Sequence, residues 1–160
     1  MILDNKIPRV VISSLDRSPE VNGKSLDILR NAGIEVIENI LPFKGAQLSQ
    51  ARTTYVCNKR PYVILKYAQS KDGFMASKDG TPVWISNKFT KRLTHKWRSE
   101  INAIMVGTNT AKMDNPNLNN RYYHGNSPVR IVLDRNLNLN KKLNIFDQTQ
   151  KTIVINEVDS

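Results

Sequence analysis

The chain has 160 residues, with 24 lysines and arginines against 14 acidic residues and a formal charge of +10. That length suits one full domain or two partial ones, and the charge either draws an anionic partner (nucleic acid, a phosphorylated metabolite or an acidic membrane) or reflects a basic proteome or a solvated surface. A single cysteine, Cys57, excludes an internal disulfide, and with only His95 and His124 beside it the chain is poor material for a zinc site.

In chain order, residues 7–13 (IPRVVIS) read as a short buried strand and residues 23–32 as a helix with Leu26, Ile28 and Leu29 on its apolar face. Gly33 fits the stop of that helix, and residues 34–38 (IEVIE) alternate as a second strand. This strand–helix–strand order suits a parallel crossover. Pro42 opens the next helix, which runs towards Cys57 with Ala46, Leu48 and Ala51 as apolar positions. The polar stretch Asn58-Lys59-Arg60-Pro61 is the best boundary. Residues 62–68 (YVILKYA) then read as a strong strand, followed by two Ser-Lys-Asp-Gly turns at residues 70–73 and 77–80.

Ser86 is placed to cap a helix from residue 87 to about residue 101, with Phe89, Leu93, Trp97 and Ile101 as one apolar stripe. Residues 103–107 (AIMVG) form another strand, residues 108–113 one or two helical turns stopped at Asp114-Asn115-Pro116, and residues 129–133 and 152–155 two further strands joined by an Asn- and Lys-rich loop. The alternation makes the class α/β. No apolar run reaches membrane-spanning length and the start MILDNKIPR has no apolar signal core, so a cytoplasmic protein is the simplest expectation.

Lys66 interrupts an apolar strand. Either it meets a phosphate, hydroxyl or carboxylate, because a buried ammonium without a partner is costly, or the strand is an edge and Lys66 faces water. Gly107-Thr108-Asn109-Thr110 follows a strand and opens a helix, which suits an anion or cofactor and equally suits a plain loop. Arg98 and Arg121 carry planar donor forks fit for phosphate, while the bland reading of Arg98 is the solvated helix face. Lys88, Lys91, Arg92 and Lys96 could track a nucleic-acid backbone, though no zinc finger, RNA-recognition signature or helix-turn-helix spacing accompanies them. Trp97 reads as core. Neither a Walker loop nor a G-x-G-x-x-G fingerprint is present.

Together these segments resemble one family, the bifunctional riboflavin-biosynthesis deaminase/reductase. RPYVILKYAQSKDGFMA at residues 60–76 is similar to the opening strand and turn of its reductase domain, an R-P-x-V-x-L-K strand followed by S-x-D-G. Trp84-Ile85-Ser86 resembles the next element, and VGTNTAKMDNPNLNNR at residues 106–121 is the most specific match. Residues 9–36 resemble the last strand–helix–strand of the family's deaminase domain. The resemblance implies an incomplete dihydrofolate-reductase-like domain over residues 59–160, preceded over residues 1–58 by the last βαβ part of a cytidine-deaminase-like domain.

By resemblance the activity is NADPH-dependent reduction of the ribosyl group of 5-amino-6-(5-phosphoribosylamino)uracil, with hydride arriving at C1 of the opened ribose. Carried over by position, Ala68, Trp84, Thr110 and Asp114 are cofactor-binding, and Lys66, Arg98, Leu118 and Arg121 are substrate-binding, with Lys66 catalytic through its contact to a ribose oxygen. The arginines would take the substrate phosphate. Deaminase activity is not expected, since neither the histidine–glutamate motif nor Pro-Cys-x-x-Cys occurs and no metal is implied. Pro82 departs from a substrate-touching serine, and the family's glycine-rich cofactor loop and downstream glutamate are absent up to Ser160. Impairment by truncation is therefore expected. A homodimer through the reductase domain is among the expectations, and a basic nucleic-acid-binding module or a non-catalytic interaction fragment are the rival readings.

Overall fold

The computed structural model describes residues 1–77, 81 and 83–158. The chain forms two compact units, Met1–Lys66 and Tyr67–Ser160. The 77–80 turn and the Pro82 position fall wholly or partly outside the described residues.

In the first unit, strand β1 (Arg9–Val11) pairs in parallel with β2 (Glu35–Ile37), and helix α1 (Lys24–Asn31) crosses between them. Leu26 and Leu29 are buried, whereas Ile28 is exposed, so the apolar face is narrower than the sequence pattern suggests. Gly33 ends α1 with φ +77°. Its amide donates to Arg30 O and that of Ile34 to Leu29 O, which satisfies carbonyls the helix end leaves open.

The helix expected from Pro42 towards Cys57 is two helices, α2 (Pro42–Leu48) and α3 (Gln50–Asn58), broken at Ser49. The Ser49 hydroxyl donates to Gly45 O at 3.1 Å, a local bond that competes with helix continuation. Gly45 is needed for close approach: a Cβ there would lie 2.1 Å from Ser13 Oγ. Neither helix buries a residue, and Leu48 is exposed instead of packed.

In the second unit, β3 (Ala103–Val106), β4 (Val129–Leu133) and β5 (Thr152–Ile155) form a parallel sheet in the order β3-β4-β5. Helix α4 (Lys88–Glu100) precedes β3, and α5 (Thr108–Asp114) links β3 to β4. Ala111, Leu118, Val132, Leu139 and Ile145 make the core, with Ile104, Val106 and Val154 packed against it. The loop between β4 and β5 is better ordered than its Asn- and Lys-rich sequence suggests: it holds a 3-10 turn (Asn144–Phe146) and two core residues. Asp134, buried at the end of β4, accepts from the amides of Asn138 and Leu139 and so holds the loop's first turn.

Three expectations need correction. Residues 62–68 form no strand, and Val63, Ile64 and Leu65 are exposed. Apolar β-branched residues make a strand only where a neighbour pairs with them, and among the described residues none does. The supposed core stripe of α4 is largely open: Phe89 is 86% exposed and Trp97 44%, while the buried residue of the helix is His95. The cap of α4 is Asn87, not Ser86, since Asn87 Oδ1 accepts from the Thr90 amide at 2.9 Å. Asn87→Ala should therefore lower stability by about 1 kcal/mol, and a thermal-unfolding shift no larger than that of Ser86→Ala would count against the assignment.

Candidate functional site

Helix α4 presents Lys91, His95 and Arg98 at spacings of four and three, so they share one face. The loop after α5 runs back over that face. It starts with Asn115 and Leu118, both with positive φ. For Leu118, a buried leucine with φ 54°, this conformation is strained. It turns the chain so that Asn119–Tyr122 meet α4. Arg98 Nη1 donates to Asn119 O at 2.9 Å and Arg121 Nη1 to Asn119 Oδ1 at 2.6 Å. One asparagine thus spaces the two guanidinium groups.

His95 is 2% exposed, and its Nδ1 accepts the Arg121 amide at 3.1 Å. Tyr122 stands edge-on to its ring, with centroids 4.7 Å apart. Lys91 Nζ lies 4.6 Å from the Tyr122 ring centre and 5.5 Å from that of Trp84, and the Arg121 guanidinium lies 5.0 Å from the Tyr122 ring. Hydrogen bonding from Arg121, then from Lys91, holds the Tyr122 hydroxyl below the ordinary phenol range.

The electrostatics are one-sided. Among the described residues none of Lys91, Arg98 and Arg121 forms an ion pair. Arg98 Nε is buried without a hydrogen-bond partner. Desolvation, and then the charge of Arg121, lower the Arg98 pKa from its ordinary value. Adjacent cations with an unsatisfied buried donor are an arrangement that an anion with several acceptor oxygens would relieve.

Thr110 and Asp114 are exposed one turn apart on α5, and their side chains make no hydrogen bond or ion pair among the described residues. The Thr108 hydroxyl, by contrast, is turned to Leu133 O. Trp84 is 82% exposed and Ala68 half-buried. Lys66 closes the first unit; it is exposed and lies in no strand, so the buried-ammonium argument does not apply to it. A cavity of about 350 Å³ is lined by Ser70, Asp72, Phe74, Ala76, Val83 and Ile85, among others, and by none of these candidates. Among the described residues there is no metal-ligating cluster of three or more His, Cys, Asp or Glu, and no helix is long and apolar enough to cross a membrane.

The second unit is therefore a parallel-sheet α/β unit with a cationic face between α4 and the loop after the β3–β4 crossover helix. Residues 61–160 match the RibD C-terminal domain, and the chain belongs to that family. It is 36% identical over 161 residues to the riboflavin biosynthesis protein RibD of Aquifex aeolicus, covering 99% of this chain and 45% of that protein. It is 33% identical to the chloroplastic riboflavin biosynthesis protein PYRR of Arabidopsis thaliana over 94% of this chain and 27% of that one. A crystal structure of a diaminohydroxyphosphoribosylaminopyrimidine deaminase/5-amino-6-(5-phosphoribosylamino)uracil reductase from Thermotoga maritima superposes with a TM-score of 0.88 at 38% identity, covering 99% of this chain and 45% of that one. Acinetobacter baumannii RibD gives 0.83 at 31% identity, with 97% and 45% covered. The chain thus spans about half the length of the RibD relatives it matches. None of these relatives favours the nucleic-acid reading of α4.

Proposed function

We propose that residues 59–160 are reductase-derived and act on 5-amino-6-(5-phosphoribosylamino)uracil in riboflavin biosynthesis, and that residues 1–58 descend from the deaminase half. The observation that carries this reading is the unpaired cationic group of Lys91, Arg98 and Arg121 with its buried, unsatisfied Arg98 Nε. In this reading Arg98 and Arg121 take the substrate phosphate and Leu118 shapes the same loop. Lys66 acts at a ribose oxygen, where an ammonium stabilises developing negative charge.

The cofactor of this reading is NADPH, which supplies the hydride when bound. The exposed and unpartnered Thr110 hydroxyl and Asp114 carboxylate fit it, because a donor–acceptor pair one helical turn apart suits hydroxyl and carboxamide groups. Trp84 and Ala68 are the apolar partners on the cofactor side. Cytoplasmic location and a homodimer through residues 59–160 belong to the same reading.

The test is thermal protection of the purified chain by the phosphorylated aminouracil and by its dephosphorylated counterpart. At about ten times Kd, a ligand bound only by the native state stabilises by about 1.4 kcal/mol. The phosphorylated compound should raise the melting temperature and the dephosphorylated one should not. Equal protection by both would remove the phosphate role. Salt-sensitive retention on DNA without metabolite protection would replace the reading with a basic binding module.

A further inference from the structure

We infer that His95 is the positioning residue of the arginine pair: a neutral imidazole, protonated on Nε2, whose Nδ1 accepts the Arg121 amide and pins the 119–122 loop over α4. The inference rests on the reading of Arg98 and Arg121 as an anion site, and goes beyond it by giving a role to a side chain that touches no ligand.

The tautomer follows from geometry. A neutral imidazole has one N–H, and a nitrogen that accepts a hydrogen bond does not carry it. Nδ1 accepts at 3.1 Å, so the proton sits on Nε2. The approach of Arg98 Nη1 to Nε2 at 3.4 Å is then a contact between two donors, and Arg98 Nη1 directs one of its two N–H groups to Asn119 O at 2.9 Å. His95 therefore leaves the arginines free of its own acceptor while it fixes the backbone that carries Arg121.

The surroundings keep the ring neutral. Burial lowers its pKa below the ordinary value, followed by the charges of Arg98 and Arg121; the Asn120 side chain works the other way, and Lys91 adds to the lowering. The groups facing the ring are thus Lys91 and Arg98 from α4, and Asn120, Arg121 and Tyr122 from the loop. The sign of the linkage is set by this lowering. Between the folded value and the ordinary value of about 6.5, the unfolded chain binds more protons than the folded one. The contribution is fully present above that ordinary value and is lost as the pH falls through the folded one.

The experiment combines imidazole NMR, amide exchange and sulfate titration on the 160-residue chain. Sulfate is the probe because it does not titrate in this range. The chain has two histidines, so His124→Gln assigns the spectrum. At pH 7.5 the His95 ring should show Nε2 protonated and Nδ1 bare. His95→Leu should accelerate exchange of the Arg121 amide and weaken sulfate, each by roughly tenfold, with the amides of β4 unchanged. His95→Asn, which can place an oxygen where Nδ1 stood, should restore both to within about threefold of the wild type and remove the part of the acid-induced loss that sets in below about 6.5, leaving the carboxylate losses of Asp16 and Asp147 at lower pH.

A protonated Nδ1, an unchanged Arg121 amide in His95→Leu, or an Asn variant no better than Leu would overturn the inference. Uniform acceleration across the β4 amides would do the same, because it marks a purely structural residue. If Arg98→Ala and Arg121→Ala left sulfate binding intact, the anion reading would fall separately, and the tautomer and amide results would still decide on His95.

Discussion

Arg130→Ala is expected to cost about 3 kcal/mol or more of stability, because it leaves several part-buried acceptors unpaired at about 1–3 kcal/mol each. Arg130 is 1% exposed in the central strand of the second unit. Its guanidinium is satisfied: Nε donates to Thr152 Oγ1, Nη1 to Asn144 O, and Nη2 to Asp147 Oδ1 and Gln150 O, all at 2.8–2.9 Å. These acceptors tie β4 to β5 and to the loop between them. Alanine would leave a hydroxyl and two carbonyls without their donor, whereas Asp147, a third exposed, keeps its bonds from Thr149. The Arg130 hydrogen bond is the first of the groups that hold the Asp147 carboxyl below the usual carboxylate range, with Thr149 adding to it.

The contrast is Arg135→Ala, which breaks an exposed pair with Glu157 and should cost under about 1 kcal/mol. Urea unfolding followed by tryptophan fluorescence reads both, since Trp84 and Trp97 lie in the second unit. A loss for Arg130→Ala no greater than for Arg135→Ala would show that the network adds nothing.

Arg130 also shows what the sequence concealed. In YVILKYA the lone cation Lys66 invited a buried-charge argument, and in VRIVL the lone cation Arg130 did not. The structure reverses them: Lys66 is exposed and Arg130 is buried. Both sit in apolar β-branched runs. What separates them is paired strands on both sides of β4 and an acceptor set drawn from residues 14–22 positions away, neither of which a local pattern contains.

Where the controlling interactions are local, the sequence was legible. Gly33 at the end of α1 was read as it stands, because the carbonyls its turn satisfies lie within five residues. Helix α2–α3 was misread because its break depends on Ser49 finding Gly45 O and on Gly45 meeting Ser13. At the site, the family pattern points to the two arginines, and the structure brings both to Asn119. His95 was weighed only as a metal ligand. Its signal was present, a histidine three residues before Arg98 on one helix face, but its meaning depends on the loop that returns from residue 118.

Arg121→Ala and Arg98→Ala should each weaken phosphorylated aminouracil by about ten- to a hundredfold, with little change for its dephosphorylated counterpart or for NADPH. A hydrogen bond to a charged group is worth roughly 1.5–3 kcal/mol, and each 1.4 kcal/mol is about a factor of ten in affinity. Arg121 is the cleaner of the two, because its side chain is exposed and its partners are the side chains of Asn119 and Tyr122, not a backbone carbonyl. Arg98 is half-buried and also supports Asn119 O, so its removal disturbs the loop as well as the charge. Arg98→Lys separates the two contributions: it keeps the charge and loses the planar fork. It should bind the phosphorylated ligand better than Arg98→Ala but worse than the wild type. Calorimetric titration of the three variants with each ligand measures this directly. Should Arg121→Ala harm the dephosphorylated ligand as much as the phosphorylated one, the cation would be shaping the loop and not reading phosphate, and the unpaired charge of this face would need another partner.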